Sequence, residues 1–143
     1  MNAMYKNIIN TICLGQHVTL DEIQQTKRDT ELVYARQLCM YFGKEFEVGS
    51  LEFIGDPFGK NYSTVIHSCK VINNYVYTDR LKREAIEKYR DYLNGYKTIM
   101  ALDKHLEDEI NFLTERLSVA EQRLINLFLI MDKAEKIIKE LTN

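Results

Sequence analysis

Apolar side chains recur along this chain at intervals of three and four residues, the spacing of helix faces. From Tyr5 to about Leu14, the side chains of Ile8, Ile9 and Ile12 share one side and predict a first helix. Thr19-Leu20-Asp21-Glu22 has the form of a capping box, in which Thr19 accepts from the third helical amide and Glu22 reaches back. It starts a short helix ending near Gln25, and the polar run Gln25-Thr26-Lys27-Arg28-Asp29 is a loop. Leu32, Ala35, Cys39, Phe42 and Phe46 then mark a third helix of about sixteen residues. Val48-Gly49 interrupts it, and Ser50 caps the next short helix.

The stretch from Ile54 to Ile72 reads as a short helix stopped by Gly55, a tight turn, and a second helix that opens on polar groups. That is the layout of a helix-turn-helix, whose second helix enters the major groove with its N-terminal residues. In that helix Val65, Cys69, Ile72 and Val76 fall on one stripe. Ser63, His67, Lys70 and Asn74 fall almost opposite, with Tyr62 and Thr64 between the two faces. An apolar back and a hydrogen-bonding front suit a groove helix, and equally suit any surface helix. Asp79 to Leu93 predicts a further helix with Leu81, Ala85, Tyr89 and Leu93 inward. Asn94-Gly95 then reads as a C-cap and break, which divides the chain into domains 1–95 and 96–143.

Beyond that break Leu106, Ile110, Leu113, Leu117, Ala120, Leu124, Leu127, Met131, Ala134, Ile138 and Leu141 alternate spacings of four and three. Five heptads without a slip predict a coiled coil. Taking Ile110, Leu117, Leu124, Met131 and Ile138 as a positions leaves Leu and Ala at d, and Arg116 at g would face Glu121 at e of a parallel partner. Phe128, Ile130 and Ile137 widen the apolar stripe in the second half, which points to burial in a larger bundle or against a globular domain. The expected partner is another copy of the chain, with a dimer favoured, held through residues 106–141 by Leu106, Ile110, Leu113, Leu117, Leu124, Leu127, Met131, Ile138 and Leu141.

Composition adds limits. The 143 residues are 45% hydrophobic and 28% charged with one proline, which suits one mainly helical domain with a segment appended. The longest apolar run, Leu127 to Met131, is too short for a membrane span, and no secretory pattern opens the chain. Cys13, Cys39 and Cys69 are odd in number and widely spaced, so they read as small buried hydrophobes in a reducing cytoplasm. Residues 1–94 carry twelve basic and twelve acidic side chains, and residues 95–143 seven and nine. Neutrality leaves room for a basic face while implying modest affinity for a polyanion per monomer. His17, His67 and His105 lack spaced metal-ligand partners, and no Gly-x-Ser-x-Gly or Cys/His catalytic pattern is present. The expectation is a binding protein without enzymatic activity, cofactor or metal.

The residues around the turn resemble a family signature. Ile54-Gly55 before the turn and Ser63-Thr64-Val65-Ile66-His67-Ser68-Cys69 after it are similar to the Ile-Gly and Thr-Thr-Val-Leu-His-Ala-Cys elements of the C-terminal DNA-binding domain of the bacterial replication initiator DnaA. Ala35-Arg36-Gln37-Leu38-Cys39-Met40, Lys44-Glu45-Phe46 and Ser50-Leu51-Glu52-Phe53-Ile54-Gly55 extend the resemblance, which runs from about Asn7 to about Asp79. No Gly-x-x-x-x-Gly-Lys-Ser/Thr loop is present, so the initiator's ATPase part is missing and no nucleotide is expected.

The resemblance implies where DNA contacts would lie. The family's Arg-Asp-His-Thr-Thr stands where this chain has Lys60-Asn61-Tyr62-Ser63-Thr64. Lys60 keeps a cation and Thr64 keeps the residue expected at phosphate. Asn61 could read adenine or simply cap the helix, and Tyr62 and Ser63 replace a His and a Thr. The family's arginine-rich loop corresponds to Thr26–Glu31, where Lys27 and Arg28 are opposed by Asp29 and Glu31. Arg28 would enter the minor groove or remain a solvated loop charge. Arg36, Lys44 and His67 match family positions near the phosphate backbone or serve as ordinary helix-surface residues, and Lys70 lies on the polar front. Pro57 occupies a place where the family tolerates a helix former.

These readings converge on an all-α protein, a DnaA-like helix-turn-helix followed by a long oligomerising helix. The expected function is sequence-specific binding of duplex DNA, in replication-origin binding and initiation control or in transcription regulation. The expected place is the cytoplasm, on the nucleoid. The alternative is an interaction or scaffold protein that keeps the fold and works through its coiled coil.

Overall fold

The computed structural model describes residues 1–143, and every element in it is helical, as the spacing implies. Two compact units are present, residues 1–97 and 98–143.

In the first unit α1 (Ala3–Gln16) begins at Asn2, whose side chain accepts from the Tyr5 amide at 2.9 Å. It ends where His17 turns left-handed at φ 57°. Tyr5, Ile8, Ile9, Ile12 and Cys13 make its buried face. Thr19 starts α2 (Leu20–Gln24) by accepting from the Glu22 amide at 3.2 Å, the first half of a capping box. α3 (Thr30–Glu45) runs through the middle of the unit between α1 and α5. It is therefore buried on more than the single stripe that periodicity marks: Leu38, Met40 and Tyr41 join Leu32, Ala35, Cys39 and Phe42 in the core. The Phe42 ring meets those of Tyr41, Phe46 and Tyr89. Burial of each such side chain contributes about 1.5–3 kcal/mol. Ser50 caps α4 (Leu51–Gly55) through the Phe53 amide at 3.1 Å. A single 3₁₀ turn, Asp56–Phe58, leads to α5 (Tyr62–Thr78).

Asp79 caps the last helix, α6 (Arg80–Thr142), by accepting from the Lys82 amide at 3.1 Å. Of the expected inward stripe Leu81–Ala85–Tyr89–Leu93, Tyr89 packs on the core and Leu93 is buried, whereas Leu81 departs from it. Leu81 is 77% exposed, and Ile86 and Leu93 are the buried residues. The Lys82 ammonium lies 3.7 Å from the centre of the Tyr75 ring and 4.9 Å from that of Tyr34. That cation–π contact, with the lysine stem laid on the rings, turns position 82 inward and rotates Leu81 out. Farther along, Arg90 bonds Glu45 at 2.9 Å and the Tyr41 hydroxyl at 2.8 Å, tying α6 to the end of α3.

The expected break at Asn94-Gly95 is absent, because α6 continues through it. A glycine inside a helix costs only about 1 kcal/mol relative to alanine, and the turns on either side outweigh it. Gly95 does not adopt the left-handed conformation that a cap needs. In the second unit, residues 98–142 are helical and exposed on every side. Each large side chain of the heptad stripe, from Leu106 to Leu141, is more than half exposed. No helix of the chain is long and apolar enough to cross a membrane.

Candidate nucleic-acid interface

The geometry around α5 begins at Gly55. Its carbonyl accepts from the Lys60 amide at 3.0 Å, closing the turn. A Cβ at Gly55 would lie 2.3 Å from the Lys60 carbonyl oxygen and 3.2 Å from Val65 Cγ2, so only glycine allows α4 to approach the start of α5 this closely. Pro57 falls in the first turn of the 3₁₀ segment, beyond the end of α4, where its missing donor costs nothing. Gly59 reverses the chain at φ 62°.

Asn61 is the N-cap of α5. Its Oδ1 accepts from the Thr64 amide at 3.1 Å, the Ser63 hydroxyl at 2.7 Å and the Thr64 hydroxyl at 3.3 Å. The oxygen is thereby spent, and the carboxamide NH2 is left as a pair of donors. A bidentate contact to adenine needs that same oxygen as an acceptor, so capping and adenine reading compete for one atom. Val65, Cys69 and Ile72 face the core with Ser68, whose hydroxyl donates to the Thr64 carbonyl at 2.8 Å. Ser63, His67, Lys70 and Asn74 face solvent, and Tyr62 is 54% exposed.

Arg36 departs from the surface or phosphate role its family position suggests. It is 5% exposed and donates to main-chain carbonyls alone. Nε reaches Ile23 at 2.6 Å, Nη1 reaches Lys27 at 2.7 Å, and Nη2 bonds Gln25 and Glu22. Burial lowers its pKa, while Asp29 nearby raises it; the fork still satisfies several carbonyls with one side chain. Those carbonyls belong to the end of α2 and the loop that carries Lys27 and Arg28. Arg36 therefore positions the loop.

The loop, α3 and the N-terminal turns of α5 enclose a cleft of about 490 Å³. Arg28, Arg36, Lys60, Thr64 and His67, all singled out in sequence, converge on it. Val33, Gln37 and Met40, one face of α3, line it together with Thr26 and Ser68. Gln37 and Thr26 were not singled out; the signal for Gln37 was its place in the Ala-Arg-Gln segment, four residues after Val33 and three before Met40. No acidic residue lines the cleft. Lys44 lies elsewhere, in a groove with Tyr41, Glu45, Cys69 and Asn73. Lys27 and Lys70 are exposed outside the cleft. Burial pushes the Cys69 thiol up, against a smaller opposing pull from Lys44, so it stays neutral and unreactive. No group of three or more His, Cys, Asp or Glu side chains comes together in a metal-binding arrangement.

Residues 5–72, from the first core tyrosine to the last buried residue of α5, match the family described as bacterial dnaA protein helix-turn-helix. This segment is a relative of the DnaA C-terminal domain. All eleven residues proposed from sequence to touch DNA, Lys27 to Lys70, fall within the DnaA-type segment, and residues 106–141 fall outside it. The chromosomal replication initiator protein DnaA of Thermoanaerobacter sp. (strain X514) is 34% identical over 91 residues, covering 64% of this chain and 20% of that protein. The DnaA of Streptococcus agalactiae serotype V is 41% identical over 75 residues, covering 52% and 17%. That of Flavobacterium psychrophilum is 36% identical over 69 residues, covering 48% and 14%. The chain thus spans about a fifth or less of the length of these relatives.

Proposed function

We propose that the DnaA-type unit binds duplex DNA in a sequence-specific way, with the start of α5 in the major groove and the Arg28 loop beside it. The observation that carries this reading is the cleft: residues 1–94 carry as many acidic as basic side chains, yet its lining holds Arg28 and Lys60, with Arg36 bonded to the loop carbonyls beneath them, and no carboxylate. A local cation cluster at a helix N-terminus is what phosphate recognition requires. The process served is control of replication initiation, with origin binding, or transcription regulation. The protein works as an oligomer, a dimer in the simplest form, held by residues 106–141 of a segment spanning 96–143, and acts on the nucleoid in the cytoplasm. Linking two units through that segment turns modest affinity per copy into useful avidity.

One observation favours a second reading. The apolar stripe of the second unit stands open from Leu106 to Leu141, and it suits an interaction protein that needs no DNA. Selection of bound sequences from genomic fragments, followed by titration, separates the two. For DNA binding, Arg28, Lys60 and Lys70 release counterions, so affinity falls with salt on a log–log slope of roughly −3. No binding to any selected or random duplex at low salt would leave only the interaction reading.

Positioning and reading separate by mutation. Lys60→Ala and Lys70→Ala weaken binding to every sequence alike, whereas Ser63→Ala relaxes preference at particular base pairs by about 1–3 kcal/mol. Asn61→Ala also costs about 1 kcal/mol of stability through the lost cap. Asn61→Ser keeps the cap and removes the NH2 donors, so it loses preference without loss of stability. An unchanged selected motif in both the Ser63→Ala and Asn61→Ser variants means that α5 does not read the bases.

A further inference from the structure

We propose that residues 106–141 pair with a second copy of this chain in parallel and in register, with Arg116 and Glu121 setting the orientation. The inference rests on the reading above that the stripe is self-associating. Its large a and d side chains all stand more than half exposed along an unbroken helix. What distinguishes the possible pairings is the residues beside them.

In a parallel pair each g residue faces the e residue of the partner's next heptad. Arg116 then meets Glu121 of the second copy, and because the pair is symmetric this happens twice. Arg123 falls on the ring of Phe128, Ile130 on the methylenes of Glu135, Ile137 on the methyl of Thr142, and Glu109 beside Thr114. No like charges meet. The apolar flank of the second half, otherwise anomalous, finds a stem or ring opposite it at every step. Arg116 rests over the Phe112 ring of its own chain at 5.8 Å, an exposed contact it exchanges for Glu121 on pairing.

Antiparallel pairing brings e residues to e and g residues to g. Two registers then cover the stripe to a similar extent. In one, Glu121 faces Glu121, Arg123 faces Arg123 and Glu107 faces Glu135, and like charges oppose association by about as much as opposite charges favour it. In the other, slid by one heptad, Arg116 and Arg123 face Ile137 and Ile130, and no opposite charges meet. The parallel pair alone gains from its flanking charges.

Mild oxidation of full-length Leu113→Cys tests the orientation. Two copies in parallel place both residues at 113 face to face and give a covalent dimer. An antiparallel pair separates them by roughly 27–38 Å along the axis at 1.5 Å per residue. The unsubstituted chain, whose three cysteines are buried, is the control. Arg116→Glu and Glu121→Arg are each expected to weaken association by roughly fivefold to tenfold, and the double variant to restore it. Sedimentation of the full chain at micromolar concentration separates the layers of the argument. A monomer overturns self-association itself. An oligomer that cross-links only when Leu113→Cys is mixed with Met131→Cys or Ile138→Cys, or whose charge swap does not restore association, overturns the parallel arrangement.

Discussion

Gly55→Ala is expected to remove about 3 kcal/mol from the stability of the first unit and to abolish DNA binding with it. The added Cβ would sit 2.3 Å from the Lys60 carbonyl oxygen, well inside van der Waals contact. The obstacle is main chain rather than the end of a flexible side chain, so relief requires α4 and the start of α5 to separate. That motion breaks the Lys60-to-Gly55 hydrogen bond and opens the packing of Val65 against α4. Overpacking of this kind costs typically 1–3 kcal/mol and sometimes more. In a unit of this size each kcal/mol lowers Tm by roughly 4–8 °C. Thermal melting of the full chain beside the variant, with a duplex titration, reads both effects. A variant that melts within about 2 °C of the parent would mean that the turn is looser than this geometry.

Arg36→Met is expected to have the next largest effect, on the order of 3 kcal/mol, and to loosen the segment from Glu22 to Asp29. Methionine keeps the length of the stem and deletes every bond to the carbonyls of Glu22, Ile23, Gln25 and Lys27. Hydrogen bonds from a charged donor are worth about 1.5–3 kcal/mol each when their loss leaves a buried acceptor bare, and part of this returns as the loop takes up water. Arg36→Lys should rescue little, because one ammonium cannot serve carbonyls spread along the planar fork. Limited proteolysis at Lys27 and Arg28 should accelerate in both variants, and DNA affinity should fall with it. Arg28→Ala is the contrast: affinity falls while melting and proteolysis elsewhere stay unchanged. If Arg36→Met lost DNA affinity with stability and loop protection intact, Arg36 would be a DNA contact and not the positioning residue.

The difference between Arg36 and Arg28 marks where sequence reading stops. Both are arginines in or near a basic loop, and both stand at positions where the resemblance suggests DNA. Nothing in their immediate neighbours separates them. What separates them is burial: Arg36 lies on the side of α3 that faces the returning loop, and its acceptors are nine to fourteen residues away. Asn61 is a milder case. Sequence admits capping and base reading together, and the structure shows the cap, with Ser63 and Thr64 gathered around one oxygen.

By itself the sequence determined the first five helices, the caps at Thr19, Ser50 and Asn61, and the turn. Thr19, Ser50 and Asn61 cap through amides within the next turn, so the information they need lies within a few residues. The same holds for Gly55 and Gly59, and for the heptad stripe, whose period is a property of one helix. Only the tertiary structure decided that Leu81 turns outward, that α6 runs on through Gly95, and that a chain of net charge −2 presents a cleft lined by arginine and lysine and no carboxylate. The outward turn of Leu81 depends on Tyr34 and Tyr75, two rings that come together across different helices to receive Lys82. The cleft depends on three segments separated in sequence. Local hydrogen bonds are written within one turn of a helix, whereas burial and charge clustering arise only when distant faces meet, and composition averages them away.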